Sequence, residues 1–136
     1  GLGDVYKRQQ VNIKDWYFEG GIKTAAGKCR IVPIHDRIKA FVKALVDEGN
    51  KYLFTYQGKK FSQANYYKCW GEVMEKIGAD KTPHEARHTF ETNLDNAKGN
   101  RKCIDMLMGH KSKDVGNRVY NHKTIEQLRE TIALLK

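Results

Sequence analysis

Residues 82–90 read TPHEARHTF. Threonine, proline and glutamate at 82, 83 and 85 spell a helix start. Thr82 suits the N-cap, where its hydroxyl can accept an otherwise orphaned backbone N–H. Pro83 suits the first helical position, where its missing N–H costs nothing. Glu85 stands where its carboxylate can reach back to the N–H of Thr82, completing a capping box. This predicts a helix from Pro83 to about Ala97. His84 and Arg87 then lie on its first turn, three residues apart on one face. Free backbone N–H groups and the positive end of the helix dipole favour an anion there. A guanidinium, an imidazole and a helix N-terminus together have the chemistry of a phosphate site. Taken alone, the segment is equally well explained as a surface helix start with incidental His and Arg.

The same letters contain H-E-x-x-H, with His84 and His88 as zinc ligands and Glu85 as general base. Three features weigh against it. Pro83 fixes the helix start at the motif itself, after the polar residues Asp80, Lys81 and Thr82. The extended pattern requires Gly and His where Glu91 and Leu94 stand. A Glu85 engaged in the capping box turns towards Thr82 and away from a metal-bound water. Glu91 or His110 would have to supply a third ligand.

Upstream of this helix the pattern is mixed. Asp15–Glu19 (DWYFE) reads as a strand stopped by Gly20 and Gly21. Ile22–Thr24 and Lys28–Ile34 read as two further strands joined by a turn at Ala25–Gly27, with Lys23-Thr24 near the hairpin tip. In 35–49, Ile38, Phe41, Val42, Leu45 and Val46 fall at helical spacing, with Asp36 as N-cap and Gly49 at the C-terminal end. Tyr52–Phe54 is a short apolar run. Ser62 caps a second helix, with Tyr67, Trp70, Met74 and Ile77 on one face and Gly78 at its end.

Downstream, Arg101–Met108 is a short helix turning Ile104, Leu107 and Met108 inward, ended by Gly109. Ser112–Tyr120 reads as a turn or short helix. A last helix starts at Thr124, with Gln127 completing a second capping box and Ile125, Leu128, Ile132 and Leu135 as its apolar stripe. The expected fold class is α+β, mostly α: a helical domain with a small antiparallel sheet and hairpin near the N-terminus. Residues 1–10 show neither periodicity and are expected to be a leader outside the domain, which spans 11–136.

The chain's 136 residues, 40% hydrophobic and 30% charged, suit one globular domain with a single core. No apolar run approaches a membrane span, and no signal-peptide pattern is visible, so a cytoplasmic setting is expected. A net charge of +9 favours a polyanionic partner. Cys29, Cys69 and Cys103 are far apart and odd in number, which argues against a disulfide framework or a zinc knuckle. Cys69 and Cys103 are expected to be packing residues.

Beyond the helix at 83–97 comes Leu107-Met108-Gly109-His110, and ten residues later Tyr120-Asn121-His122. A Gly-His at a helix end, or one Tyr among seven, says little by itself. In this order and spacing, however, H-x-x-R-H-T-F, L-M-G-H and Y-x-H resemble the tyrosine recombinase and phage integrase family. The stretch GGIKT-AAGK-CRIVPI likewise resembles that family's lysine-bearing hairpin. The resemblance covers roughly residues 11–136.

It implies a helical catalytic domain of the DNA breaking-rejoining type, acting on double-stranded DNA at a recombination site. Tyr120 would be the nucleophile, forming a 3′-phosphotyrosyl link. Arg87 and His110 would hold the phosphate, and His84 would hydrogen-bond it or help take the tyrosine proton. Lys23, or less favourably Lys28, would protonate the leaving 5′-oxygen. His88 and His122 would pack behind the site. No metal or other cofactor is required where cationic side chains neutralise the phosphate. Full-length members assemble as tetramers on DNA, and a C-terminal helix striped like this one would suit docking on a neighbour or packing on its own domain.

One departure stands out. The family carries an earlier arginine in a Gly-Leu-Arg motif, but this chain opens Gly1-Leu2-Gly3, and Arg8 lacks the flanking pattern. Either the sequence continued upstream or its start is corrupted. The family's N-terminal DNA-clamping domain is also missing from the 136 residues. Poor cleavage by these residues alone is therefore expected, and a DNA-binding remnant without activity is the alternative.

Overall fold

A computed structural model of the chain describes residues 10–20, 30–109 and 122–136. The expected strand at 22–24, the turn at 112–120, and Arg8, Lys23, Lys28, His110 and Tyr120 lie outside the described residues, as does the side chain of His122.

The fold is α+β and mostly α, as expected. Three short strands, β1 (Val11–Asn12), β2 (Tyr17–Glu19) and β3 (Ile31–Pro33), form an antiparallel sheet in that order. Phe18 faces Val11 on one side and Val32 on the other. The strand expected from Asp15 is shorter at its start. The side chain of Asn12 accepts the N–H of Asp15 at 2.8 Å, and Trp16 takes φ 57°, so the chain turns over 13–16 before pairing begins. β1 was not expected.

After β3 the chain enters a 3₁₀ turn, Asp36–Ile38, and then α1 (Lys39–Asp47). The cap here is His35 and not Asp36. Nδ1 of His35 accepts the N–H of Arg37 at 3.1 Å, while the carboxylate of Asp36 pairs with Lys39 at 2.6 Å. Of the apolar stripe, Val42 is buried and Phe41 is 72% exposed.

A hairpin follows, β4 (Thr55–Tyr56) and β5 (Lys59–Lys60). Gln57 and Gly58 both have positive φ, 52° and 77°, the requirement of the two-residue turn that matches strand twist. Next is α2 (Gln63–Ile77), capped by Ser62 and closed by Gly78 as expected. Its inward face is rotated from the expected one. Tyr67 and Ile77 are exposed, while Tyr66, Cys69, Trp70 and Met74 are half-buried. The indole of Trp70 donates to the carbonyl of Lys81, which fixes this face towards the chain entering the next helix.

The core is built from α3 (Pro83–Asn96), α4 (Arg101–Met108) and α5 (His122–Ile132). Leu94, Ile104 and Leu128 are 0% exposed, and Cys103, Met106, Leu107, Met108 and Ile132 complete one cluster, with Val32 of β3, Phe90 and Leu135 against it. α5 begins two residues before Thr124, so the cap expected at Thr124 is not the helix start. Its stripe packs on its own domain: Leu128 and Ile132 are buried in the core. Arg129 donates to the carbonyl of Asp15, and Nε2 of His35 donates to the carbonyl of Leu135 at 2.7 Å, tying the C-terminal end of α5 and the residues after it to the sheet region. No helix among the described residues is long and apolar enough to cross a membrane.

Candidate active site

α3 starts as the sequence requires. Oγ1 of Thr82 accepts the N–H of Glu85 at 3.1 Å, and Oε2 of Glu85 accepts the N–H of Thr82 at 2.7 Å. That second bond, more than anything else, holds the Glu85 carboxyl below its ordinary range, with the Thr82 hydroxyl, Lys81 and His84 adding to the effect. Glu85 is thereby committed to the helix end. It cannot also serve as general base to a metal-bound water.

His84 and His88 stand one turn apart and exposed. Their Nε2 atoms are 3.1 Å apart, with the rings edge to face, so one imidazole donates to the other. A third ligand does not join them from α3: Glu91 is ion-paired with Arg101 at 2.5 Å. Among the described residues no group of three His, Cys, Asp or Glu side chains is placed to hold a metal. The described residues thus supply at most two of the ligands that a zinc site needs, and His110 lies outside them.

Arg87 is half-buried on the same turn. Its Nη2 donates to the carbonyl oxygen of Met108, the last residue of α4. Asn100 caps the other end of α4, accepting the N–H of Cys103 at 3.2 Å. Gly109 closes it in the left-handed region at φ 72°. A guanidinium suits this place, because the last carbonyls of a helix lack intrahelical partners and carry the negative end of its dipole. The bond holds the start of α3 against the end of α4, next to the step from Gly109 to His110. Of the five expected catalytic residues, the structure places His84 and Arg87 on one turn. Lys23, His110 and Tyr120 lie outside the described residues.

One residue at this junction was not singled out from sequence. Arg30, directly before β3, is 9% exposed and donates from Nη1 to the same Met108 carbonyl at 3.3 Å. The available signal was a single cation leading an apolar strand, which is weak. A separate cleft of about 730 Å³, between the 13–16 turn, the corner at 33–37 and the end of α5, contains none of the expected site residues.

Helix start, arginine and glycine-ended helix occur in the order that the sequence pattern requires. The chain matches the model of the phage integrase family over residues 5–127, and it belongs to that family. Among curated relatives it is 31% identical to the tyrosine recombinase XerA of Thermococcus kodakarensis over 111 residues, covering 76% of this chain and 39% of that protein. It is 28% identical to XerA of Pyrococcus furiosus, covering 90% and 46% respectively. The transposase from transposon Tn916 of Enterococcus faecalis is 27% identical over 76% of this chain and 30% of its own length. The chain thus spans less than half the length of these relatives. No solved structure matches it significantly.

Proposed function

We propose that this chain is the catalytic part of a tyrosine site-specific recombinase, which cuts and rejoins double-stranded DNA through a covalent tyrosine link. The observation that carries the reading is the setting of Arg87. A half-buried guanidinium is held on the first turn of a capped helix, beside His84, by the last carbonyl before Gly109-His110. Its planar fork matches two non-bridging phosphate oxygens, and the positive end of the helix dipole favours an anion there.

In the proposed reaction the Tyr120 oxygen attacks the phosphorus. A tyrosyl–phosphorus bond forms as His84 takes the phenolic proton, the bond to the 5′-oxygen breaks, and Lys23 gives that oxygen a proton. Arg87, His84 and His110 neutralise the charge that builds on the phosphate. Attack by another strand's 5′-hydroxyl reverses the step without ATP, because the phosphotyrosyl bond keeps the ester's energy. Assembly as a tetramer on DNA and a role in integrating or excising a mobile element belong to the same reading of the full-length protein.

The test is adduct trapping. The chain is incubated with a pool of random-sequence duplexes carrying a nick, and denatured in detergent. A protein–DNA adduct whose linked peptide contains Tyr120 is expected, and Tyr120→Phe should abolish it. An adduct that persists in Tyr120→Phe overturns the assignment. No adduct from the unsubstituted chain, with DNA binding intact, favours the DNA-binding remnant.

A further inference from the structure

We infer that Arg30 is a positioning residue for the phosphate site, clamping the carbonyl end of α4 from the sheet side while Arg87 clamps it from α3. The inference rests on the reading of Arg87 as a phosphate ligand.

Three observations converge on it. Arg30 is buried, which is rare for a guanidinium and costly without a purpose-built acceptor. Its Nη1 and the Nη2 of Arg87 donate to one oxygen, that of Met108. A carbonyl has two lone pairs, so the two arginines occupy both. Finally, Gly109 lies flat against the Arg30 guanidinium: a Cβ at 109 would stand 2.8 Å from Nη1. A glycine at the Met108-Gly109-His110 step is favoured by its φ of 72°, and a side chain there would also have to displace the end of Arg30.

The backbone of Arg30 has a second job. Its carbonyl accepts the N–H of Gly20 at 2.8 Å, so the segment 21–29, which carries Lys23, leaves and returns at this residue. Arg30 thus joins the root of the lysine segment, the end of α4 before His110, and the acceptor that holds Arg87. Were its side chain removed, one lone pair of Met108 would be freed. Both terminal nitrogens of Arg87 would be drawn to the helix end, and fewer donors would face a phosphate. Gly109 would lose the guanidinium that stands against it.

The experiment titrates the full chain with inorganic phosphate, well below its melting temperature, following the Arg87 Nε–H and histidine ring signals by nuclear magnetic resonance. Arg30→Met should weaken binding about tenfold, the effect of one misplaced charge-assisted hydrogen bond. Arg30→Lys, which can still donate to Met108, should recover most of it. Val42→Ala, a core change in α1, should lower the melting temperature without moving phosphate affinity. Arg87→Ala should abolish binding. If Arg87→Ala binds phosphate as the unsubstituted chain does, the reading of the site fails and this inference with it. If Arg87→Ala loses binding but Arg30→Met does not, the inference alone is overturned. It is overturned equally if Val42→Ala weakens binding as much as Arg30→Met. Should Arg30→Met not fold, Arg30→Gln, which keeps one donor, is held to the same outcomes.

Discussion

At the scale of single residues, the site turns on what a guanidinium does that an ammonium cannot. Arg87 must hold the Met108 carbonyl with one nitrogen and still present donors to a phosphate. Lysine carries the charge but has no planar fork. Arg87→Lys is therefore expected to reduce adduct formation about a hundredfold, the loss of a single preorganised donor, while leaving the melting temperature nearly unchanged. Gel quantitation of the trapped adduct beside a thermal scan checks both halves. The shared turn of His84 and Arg87 was legible because helix capping and three-residue spacing are local properties. Arg30 was not. Its partner lies at the far end of the chain's contact map, on Met108, and no periodicity links a residue before a strand to the last carbonyl of a distant helix. The zinc motif was legible as letters, but the Glu85 that would serve as its base is engaged in capping.

At the scale of elements, starts and stops were read better than faces. Ser62, Thr82, Gly78 and Gly109 do what cap chemistry predicts, since each acts within one turn of its own position. The buried faces of α1 and α2 depend on what lies opposite, and there the expected stripes failed: Phe41, Tyr67 and Ile77 are exposed. The β4–β5 hairpin escaped notice because Gln-Gly is a less familiar turn pair than Asn-Gly, although the positive φ at both positions is the same device.

The cap of α3 also carries a pH dependence with a definite sign. Accepting the Thr82 N–H lowers the Glu85 carboxyl below its ordinary range. Its stabilising effect is then full above the unfolded-state value and is lost as pH falls through the lower folded value. Glu85→Gln keeps a reach-back acceptor but cannot titrate there. Melting temperatures measured between about pH 6 and pH 3 should fall less steeply for Glu85→Gln than for the unsubstituted chain. Thr82→Ala removes the other half of the box and should cost about 1 kcal/mol throughout. Equal acid sensitivity in Glu85→Gln and the parent chain would mean that the capping carboxylate is not what is titrating.

At the scale of the whole molecule, one core joins the described elements around Arg87. α3 and α4 carry the turn with His84 and Arg87 and the carbonyl that holds Arg87, β3 follows Arg30, and α5 closes the cluster with Leu128 and Ile132. A chain ending at His122 should therefore fail to fold cooperatively, instead of merely losing an oligomer. Circular dichroism with sedimentation separates the two outcomes. A folded, monomeric truncation would show that α5 belongs to a neighbour's surface.

The charge of the chain leads to the last expectation. Ion pairs within the chain cancel in the sum, so the net +9 on 136 residues is a surplus of cations, and two of the cations, Arg30 and Arg87, are gathered at one helix end. Binding to duplex DNA should then be driven by counterion release. Its affinity should fall linearly on a log–log plot against salt, with a slope near −0.9 per phosphate neutralised. For one face of a small domain, roughly three to five phosphates is a reasonable footprint, giving a slope of about −3 to −5. Arg87→Ala should make that slope about 1 less steep, as expected for a single phosphate contact. A surface lysine far from α3, such as Lys43 in its ion pair with Asp47, should not change it when replaced by Ala. Fluorescence anisotropy of a labelled duplex across a salt series gives all three slopes. Equal slopes for Arg87→Ala and the unsubstituted chain would place Arg87 off the DNA, whatever the core holds in position.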